Sequence, residues 1–336
     1  MQRFFKEHWI LLLALLLLLF MAIPLLHFGN FLRSWDRHPA GFDVWNPGGS
    51  PRLGFCLNDL AERRWAEEQV VWRQEAAQRR IPFRIRIAHR SLERQIRQLR
   101  RFIAEKAAVV ILVPVSRSGL ADVLQEAVRA GTKIILYDEL TAGPVEGYCG
   151  PDYRQLGRSQ AAALVAAAGP GNYLLFRGPA DSAKAERLTQ GQLEAIRQAA
   201  PQRARLLATV VLPGGAADQA APKTRTFLTH QPVKGILTPD DLTVAEISRF
   251  LQQQQPPLPF LGGVGGEAEI EQRIKTGAKL ITVRLDYARL ARTAFENARR
   301  LLDGSSFHGN ATIQNGSAKI PAWLLRDYAI LPSIGK

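Results

Sequence analysis

From Leu53 onward the chain keeps to one alternation: a short run of apolar residues, then a longer stretch whose apolar positions fall three and four apart. The first pattern is that of a buried strand and the second is one face of a helix. Strand candidates are Leu53–Leu57, Phe83–Ala88, Ala108–Val113, Lys133–Tyr137 and Gly147–Cys149, then Asn172–Arg177, Ala204–Leu212, Lys234–Thr238, Pro259–Val264 and Lys279–Leu285. Between them lie stretches such as "SLERQIRQLRRFIAEKA", in which Leu92, Ile96, Leu99 and Ile103 share a helix face. Strands joined through helices pair in parallel, and parallel sheets are covered on both faces. The two runs of strands therefore predict an α/β protein of two doubly wound parallel-sheet lobes, near residues 50–149 and 170–285.

A segment of another kind stands ahead of this alternation. From Trp9 to Leu26 all 18 residues are apolar or proline. At 1.5 Å per residue such a run reaches roughly 27 Å, about the hydrocarbon thickness of a bilayer. Arg3 and Lys6 precede it, which keeps the amino terminus cytoplasmic and the rest of the chain on the far side. A cleaved signal peptide has a shorter apolar region, about 7–15 residues, and ends in small residues. Here the exit is "AIPLLHFGN", with no A-x-A pattern and no cysteine close behind. An uncleaved N-terminal transmembrane helix is the expectation and a cleaved signal the alternative; both place the body of the chain outside the cytoplasm, in the periplasm or at the cell surface.

The formal net charge of +14 calls for an anionic neighbour. Nucleic acid is not expected, because no helix-turn-helix is visible and an exported domain meets little DNA. The excess is concentrated between Arg63 and Lys106, with 13 lysines and arginines against five glutamates. Arg94, Arg97 and Arg101 avoid the apolar face of their helix, so this region is either a solvated surface or a basic patch toward anionic lipid, wall polymer or an acidic partner. The two cysteines, Cys56 and Cys149, fall on strands that are not neighbours in a doubly wound sheet, and are expected to be unpaired and buried. "GGVGGEA", Gly262–Ala268, contains G-x-G-x-x-A, with Asp286 near the spacing of a dinucleotide fingerprint. It follows the fourth strand of its lobe rather than the first, and reads as a tight turn. No HExxH, no GxSxG and no His/Cys cluster of metal spacing occurs, so no enzyme, cofactor or metal site is expected.

In two-lobed α/β folds, ligands bind in the crevice at the carboxyl ends of the strands. "LGFCLNDLAERRWAEEQ" places Arg64 and Trp65 there, and "IILYDEL" places Asp138 at the end of the fourth strand. A forked donor, a flat aromatic platform and a carboxylate acceptor suit a neutral, hydroxyl-rich molecule. Each also has a local reading: Arg64 can pair with Glu67 or Glu68, Trp65 can belong to the core, and Asp138 can cap a turn.

"GFCLNDLAERRW", "AAVVILVPV", "AGTKIILYDEL", "PDYRQLGRSQAAAL", "GPGNYLLFRGP" and "QNGSAKIPAWLL", in this order and spacing, resemble the periplasmic sugar-binding proteins, most of all the xylose-binding branch. The resemblance runs from Leu53 to Pro332 and implies two lobes (the periplasmic-binding type I fold) on a three-stranded hinge, closing over a sugar. Its domain plan is an anchor or signal segment over 1–30, a linker over 31–51, and a first lobe over 52–150 with a return segment 300–336 near the hinge. The second lobe covers 151–299. Arg64, Trp65 and Asp138 match sugar-contacting positions; Glu139 stands where an arginine is expected; Asp181 lies one place from the expected aspartate, which falls on Ser182; Lys184 replaces an asparagine. Further on, Gly215 stands for a platform tryptophan, Pro239 for the asparagine before Asp240, Gly265 for an aspartate and Leu285 for a lysine. The candidate ligand residues are thus Arg64, Trp65, Asp138, Glu139, Asp181 and Asp240. The resemblance implies a monosaccharide or similar polyol as ligand and an ABC sugar permease as partner. The competing expectation is a membrane-tethered accessory of a sensor kinase or chemoreceptor, with an altered sugar site.

Overall fold

The computed structural model describes residues 52–60, 64–199, 204–255, 257–307, 313–314, 317–318 and 328–331. The expected N-terminal helix, the linker over 31–51, Arg63 and most of the return segment lie outside the described residues. Among the described residues no helix is long and apolar enough to cross a membrane.

The first half runs β1 (Leu53–Leu57), α1 (Arg64–Arg79), β2 (Phe83–Ile87), α2 (Leu92–Ala104), β3 (Val109–Leu112), α3 (Ala121–Arg129), β4 (Lys133–Tyr137) and β5 (Gly147–Cys149). The second runs α4 (Tyr153–Ala168), β6 (Gly171–Arg177), α5 (Ala183–Ala199), β7 (Ala204–Val211), α6 (Ala220–His230), β8 (Gly235–Leu237), α7 (Asp241–Leu251), β9 (Phe260–Gly265), α8 (Ala268–Lys275) and β10 (Leu280–Leu285). Then come α9 (Tyr287–Leu302), a short antiparallel pair β11 (Ile313–Gln314) and β12 (Ser317–Ala318), and β13 (Tyr328–Leu331). One sheet is ordered β2-β1-β3-β4-β5 and the other β13-β10-β9-β8-β6-β7. Every pairing in them is parallel except that of β13 with β10. All ten strands expected between Leu53 and Leu285 form, with ends within a residue of expectation.

Side chains alternate across the first sheet as a strand's period of two requires. Leu53, Phe55 and Leu57 of β1 join Trp65, Trp72 and Tyr137 under α1, while Cys56 joins Leu99, Phe102 and Leu136 under α2 and α3. The α2 stripe is rotated relative to the expected one: Gln95, Leu99 and Phe102 are its buried residues, with Leu92, Ile96 and Ile103 only partly covered. Gln95 is tolerated because both ends of its amide are engaged, donating to the Val113 carbonyl at 2.8 Å and accepting from the Val115 amide at 2.8 Å. Cys56 and Cys149 are buried and unpaired on strands that do not touch.

Helix α9 corrects the domain plan. Its residues up to 299 were assigned to the second lobe, yet its apolar face, including Leu290, Ala294, Phe295 and Ala298, belongs to the first core. The indole Nε1 of Trp72 donates to the Ala291 carbonyl at 3.2 Å. Conversely, β13 at the end of the return segment is an antiparallel edge of the second sheet. The chain therefore crosses between lobes at 150–152 and at Asp286, and its last return passes through residues outside those described.

In the second lobe, helices α4 and α5 meet backbone to backbone. A Cβ at Gly157 would lie 2.0 Å from the Leu188 carbonyl oxygen, and one at Gly191 would lie 1.8 Å from that of Arg154. No side chain fits either place. Gly157→Ala and Gly191→Ala are each expected to spread the helix pair and lower unfolding stability by about 1–3 kcal/mol. Chemical denaturation of each variant checks this, and an unchanged midpoint would show that the helices are not held at this spacing by glycine.

Candidate functional site

The carboxyl ends of β1 and β4 open on the same side of the first sheet because the strands are parallel. β1 leads into α1, whose first residue is Arg64, and β4 ends directly before Asp138. Asp138 has φ +62°, a left-handed conformation that aspartate tolerates better than most residues. Its amide donates to the Cys149 carbonyl at 2.9 Å and its carbonyl accepts from the Tyr148 hydroxyl at 3.3 Å, so the backbone is tied on both sides.

The side chain of Asp138 is a shared acceptor. Its Oδ2 takes the Arg64 guanidinium at 2.5 Å and the Lys184 ammonium at 3.2 Å, and its Oδ1 takes the Tyr153 hydroxyl. Arg64 and Asp138 are each only 3% exposed. Burial alone would raise the Asp138 pKa, but Arg64, then Lys184, then the Tyr153 hydroxyl outweigh it and hold the carboxyl well below the usual carboxylate range. Arg64 also reaches Glu68 one turn along α1 at 3.0 Å. Its guanidinium carbon lies 3.8 Å from the Trp65 ring centre and 4.8 Å from that of Tyr287. Two carboxylates and two aromatic faces thus enclose one guanidinium.

Glu139, the next residue, faces the second lobe. Its Oε1 accepts from the backbone amides of Leu140 at 2.9 Å and Lys184 at 2.8 Å, and its Oε2 accepts from the Ser182 hydroxyl at 2.6 Å. Ser182 Oγ in turn accepts from the Ala185 amide at 3.0 Å. Burial raises the Glu139 pKa, against the pull of Ser182 and the two amides. Beside it, the Arg117 amide donates to the Asp181 carbonyl at 3.3 Å and its guanidinium pairs with Glu186. Elsewhere along the crevice, Arg90 donates to the Gly214 carbonyl at 2.5 Å. Apart from the Leu140 and Ala185 amide bonds, which stay within one lobe, these contacts run from the first lobe to the second.

Four of the six expected site residues, Arg64, Trp65, Asp138 and Glu139, are therefore gathered, and the local readings of Arg64 and Trp65 hold. Arg64 does pair with Glu68 and Trp65, 1% exposed, is part of the first core, whereas the Asp138 carboxylate takes Arg64, Lys184 and Tyr153 rather than capping its turn. The Trp65 Nε1 has no hydrogen-bond partner among the described residues. The other two are placed differently. The Asp181 side chain is exposed, and the Asp240 carboxylate accepts from the Thr243 amide at 2.7 Å as the cap of α7. The buried acid of that region is Asp241, which accepts from the amides of Gly266 and Glu267 at 2.8 Å each and from Thr282 Oγ1 at 2.8 Å. It holds the glycine-rich turn, where Gly265 and Gly266 have φ +143° and +82°. Burial pushes its pKa up to about 6.

Tyr153, Lys184 and Tyr287 are neighbours of the Arg64–Asp138 pair that sequence reasoning does not place there, and the two tyrosines leave a trace in the sequence. Both crossings enter a helix through D-Y-x-x-L: Asp152–Leu156 and Asp286–Leu290. In each, the aspartate caps the helix, accepting from Arg154 and Gln155 in one case and from Arg289 in the other. The tyrosine that follows lies at the Arg64–Asp138 pair, one through its hydroxyl and one through its ring face. Lys184 carries no such local motif and stands out only as a lysine where the resemblance expects an asparagine. The arginine-rich stretch is laced with ion pairs: Arg84, Arg86 and Arg101 to Glu105, Arg90 to Asp59, and Arg100 to Glu126. Among the described residues no group of three or more His, Cys, Asp or Glu could hold a metal ion.

A family model described as periplasmic binding protein domain matches residues 54–306. The D-xylose-binding periplasmic protein of Haemophilus influenzae is 24% identical over 284 residues, covering 83% of this chain and 86% of that protein. The protein of the same name in Escherichia coli is 23% identical over 287 residues, covering 82% and 84%. Among solved structures, a carbohydrate transporter solute-binding protein from Chloroflexus aurantiacus in complex with D-glucose superposes with a TM-score of 0.73 at 22% identity, covering 81% of this chain and 89% of that one. A Caulobacter myo-inositol-binding protein bound to myo-inositol gives 0.71 at 20% identity, covering 79% and 91%.

The lowered pKa of Asp138 fixes the sign of its pH dependence. A carboxyl whose folded pKa lies below its unfolded value of about 3.9 stabilises the fold above that pH, and the contribution is lost as pH falls through the folded value. Stability measured by denaturant titration is expected to fall on acidification below about pH 4, with a shallower fall in Asp138→Asn. At pH 6 that variant is expected to be about 3–5 kcal/mol less stable, since it breaks the buried pair with Arg64 and removes an anionic partner of the partly exposed Lys184. Superimposable pH profiles would remove Asp138 from this role.

Proposed function

This chain belongs to the periplasmic binding protein domain family, and on that premise we propose that it is an extracytoplasmic solute-binding protein of the sugar-binding type. The observation that carries the reading is the gathering, at strand ends and between two lobes, of Asp138 with its donors Arg64, Tyr153 and Lys184, and of the Trp65 and Tyr287 rings against Arg64. Forked donors, a carboxylate and aromatic faces are the groups that recognise a monosaccharide or similar polyol. The names of its relatives, which speak of D-xylose and of multiple sugars, support this ligand class. The partner is an ABC sugar permease, and the apolar run from Trp9 to Leu26 tethers the chain to the same membrane. The candidate ligand residues are Arg64, Trp65, Asp138 and Glu139 of the first lobe, with Asp181 and Asp240 of the second.

One observation favours a second reading, a tethered accessory of a sensor kinase or chemoreceptor whose arginine-rich face also meets the membrane surface. The acceptor positions of Asp138 are engaged by the protein's own side chains, and Gly215, Pro239, Gly265 and Leu285 supply no polar side chain. A buried sugar hydroxyl left without a partner costs about 1–3 kcal/mol, against the roughly 8 kcal/mol of a micromolar ligand.

Thermal unfolding of the full chain in nanodiscs, titrated with pentoses, hexoses and inositol, separates the two. A sugar present at about 100 times its Kd should stabilise the protein by about 2.7 kcal/mol. Arg64→Lys, which keeps the charge but loses the fork, should abolish the shift. No shift with any of these solutes would leave the accessory reading in place of the binding one.

A further inference from the structure

We propose that the two lobes close on each other without a solute, with Lys184 as the built-in occupant of the site and Glu139 as a helix cap supplied across the cleft. The inference concerns the crevice that the preceding section assigns to a sugar, and it stands or falls apart from sugar binding.

Helix α5 begins at Ala183, and its first backbone amides have no carbonyl partner within the helix. Such groups are ordinarily satisfied by a side chain just ahead of the helix. Here Ser182 serves the Ala185 amide at 3.0 Å, but the Lys184 amide is served at 2.8 Å by Glu139, from the opposite lobe. Glu139 also accepts from the Ser182 hydroxyl at 2.6 Å, so the local cap and the distant one are joined. A carboxylate at this end of the helix gains further from the helix dipole. The same residue of α5 then supplies the second link, its ammonium reaching Asp138 at 3.2 Å and lying 5.2 Å from the Tyr153 ring centre.

These two links join the two positions where a charged side chain stands in place of a different residue type: a carboxylate for an arginine at 139, and an ammonium for an asparagine at 184. The changes are complementary, and they meet in space. Arg117, with Asp181 and Glu186, extends the contact outward, and Ala183 packs against the apolar cluster of the first lobe. Opening the crevice would strip a helix cap and separate a partly buried ion pair in one motion. A free polyol entering the closed site must compete with Lys184 for Asp138, and a membrane partner meets the closed form whether or not a solute is present.

The test is a distance measurement between nitroxide labels on the full chain in nanodiscs, at Ser118→Cys of the first lobe and Gln190→Cys of α5. Both positions are exposed and flank the Arg117–Glu186 contact. Cys56 and Cys149 stay unlabelled, because burial excludes reagent and pushes each thiol up to about 12. Without solute, one short distance is expected, unchanged by saturating xylose or glucose. Lys184→Met and Glu139→Gln are each expected to add a longer population, and the double variant to make it dominant, with circular dichroism confirming that the variants are folded. A solute-free protein already at the long distance, shortening only with sugar, would overturn the proposal while upholding sugar binding. A double variant that stays at the short distance would overturn it too, since closure would then rest on other contacts.

Discussion

A buried carboxylate must be met by donors, and Asp138 meets that requirement with groups drawn from three separate helices. Arg64 comes from the first lobe, while Tyr153 and Lys184 come from the second. None of the four side chains could be buried on its own without a penalty of several kcal/mol per charge. The electrostatic need of one side chain therefore decides where α1, α4 and α5 begin relative to β4. It also explains why a residue in a left-handed backbone is retained at the end of that strand: the amide, the carbonyl and the carboxylate of Asp138 each find a different partner.

The two D-Y-x-x-L entries give the crevice an approximate internal symmetry. At each crossing an aspartate starts a helix and the next residue delivers a tyrosine toward the Arg64–Asp138 pair. One tyrosine hydroxyl serves the carboxylate and the other ring serves the cation, so the same local solution is used for opposite charges. The helices that follow go to different lobes: α4 covers the second sheet and α9 packs under the first.

Much of this arrangement is legible in the sequence. Strand positions followed from apolar runs, since burial on both faces of a parallel sheet leaves little room for polar residues. Arg64, Trp65 and Asp138 were legible because strand ends locate a site in such folds. The fate of α9 was not: its heptad-like apolar face fits either lobe, and only the crossing at Asp286 decides which. Glu139 and Lys184 were visible as departures from a family pattern, but nothing local says that two departures 45 residues apart touch. Gln95 was hidden for a different reason. Its amide can be buried because two backbone groups of the next loop happen to face it, and a pattern of apolar spacing carries no information about that.

The glycine contact between α4 and α5 bears on this junction from a distance. Tyr153 opens α4 and Lys184 is the second residue of α5, while Gly157 and Gly191 fuse the two helices a turn or two farther in. With no side chain between the backbones, the pair behaves as a single stiff fork whose tips are a hydroxyl and an ammonium. The prongs cannot be adjusted independently, so whatever tilts one helix withdraws both tips from the carboxylate together, and engagement of the two lobes becomes an all-or-none event.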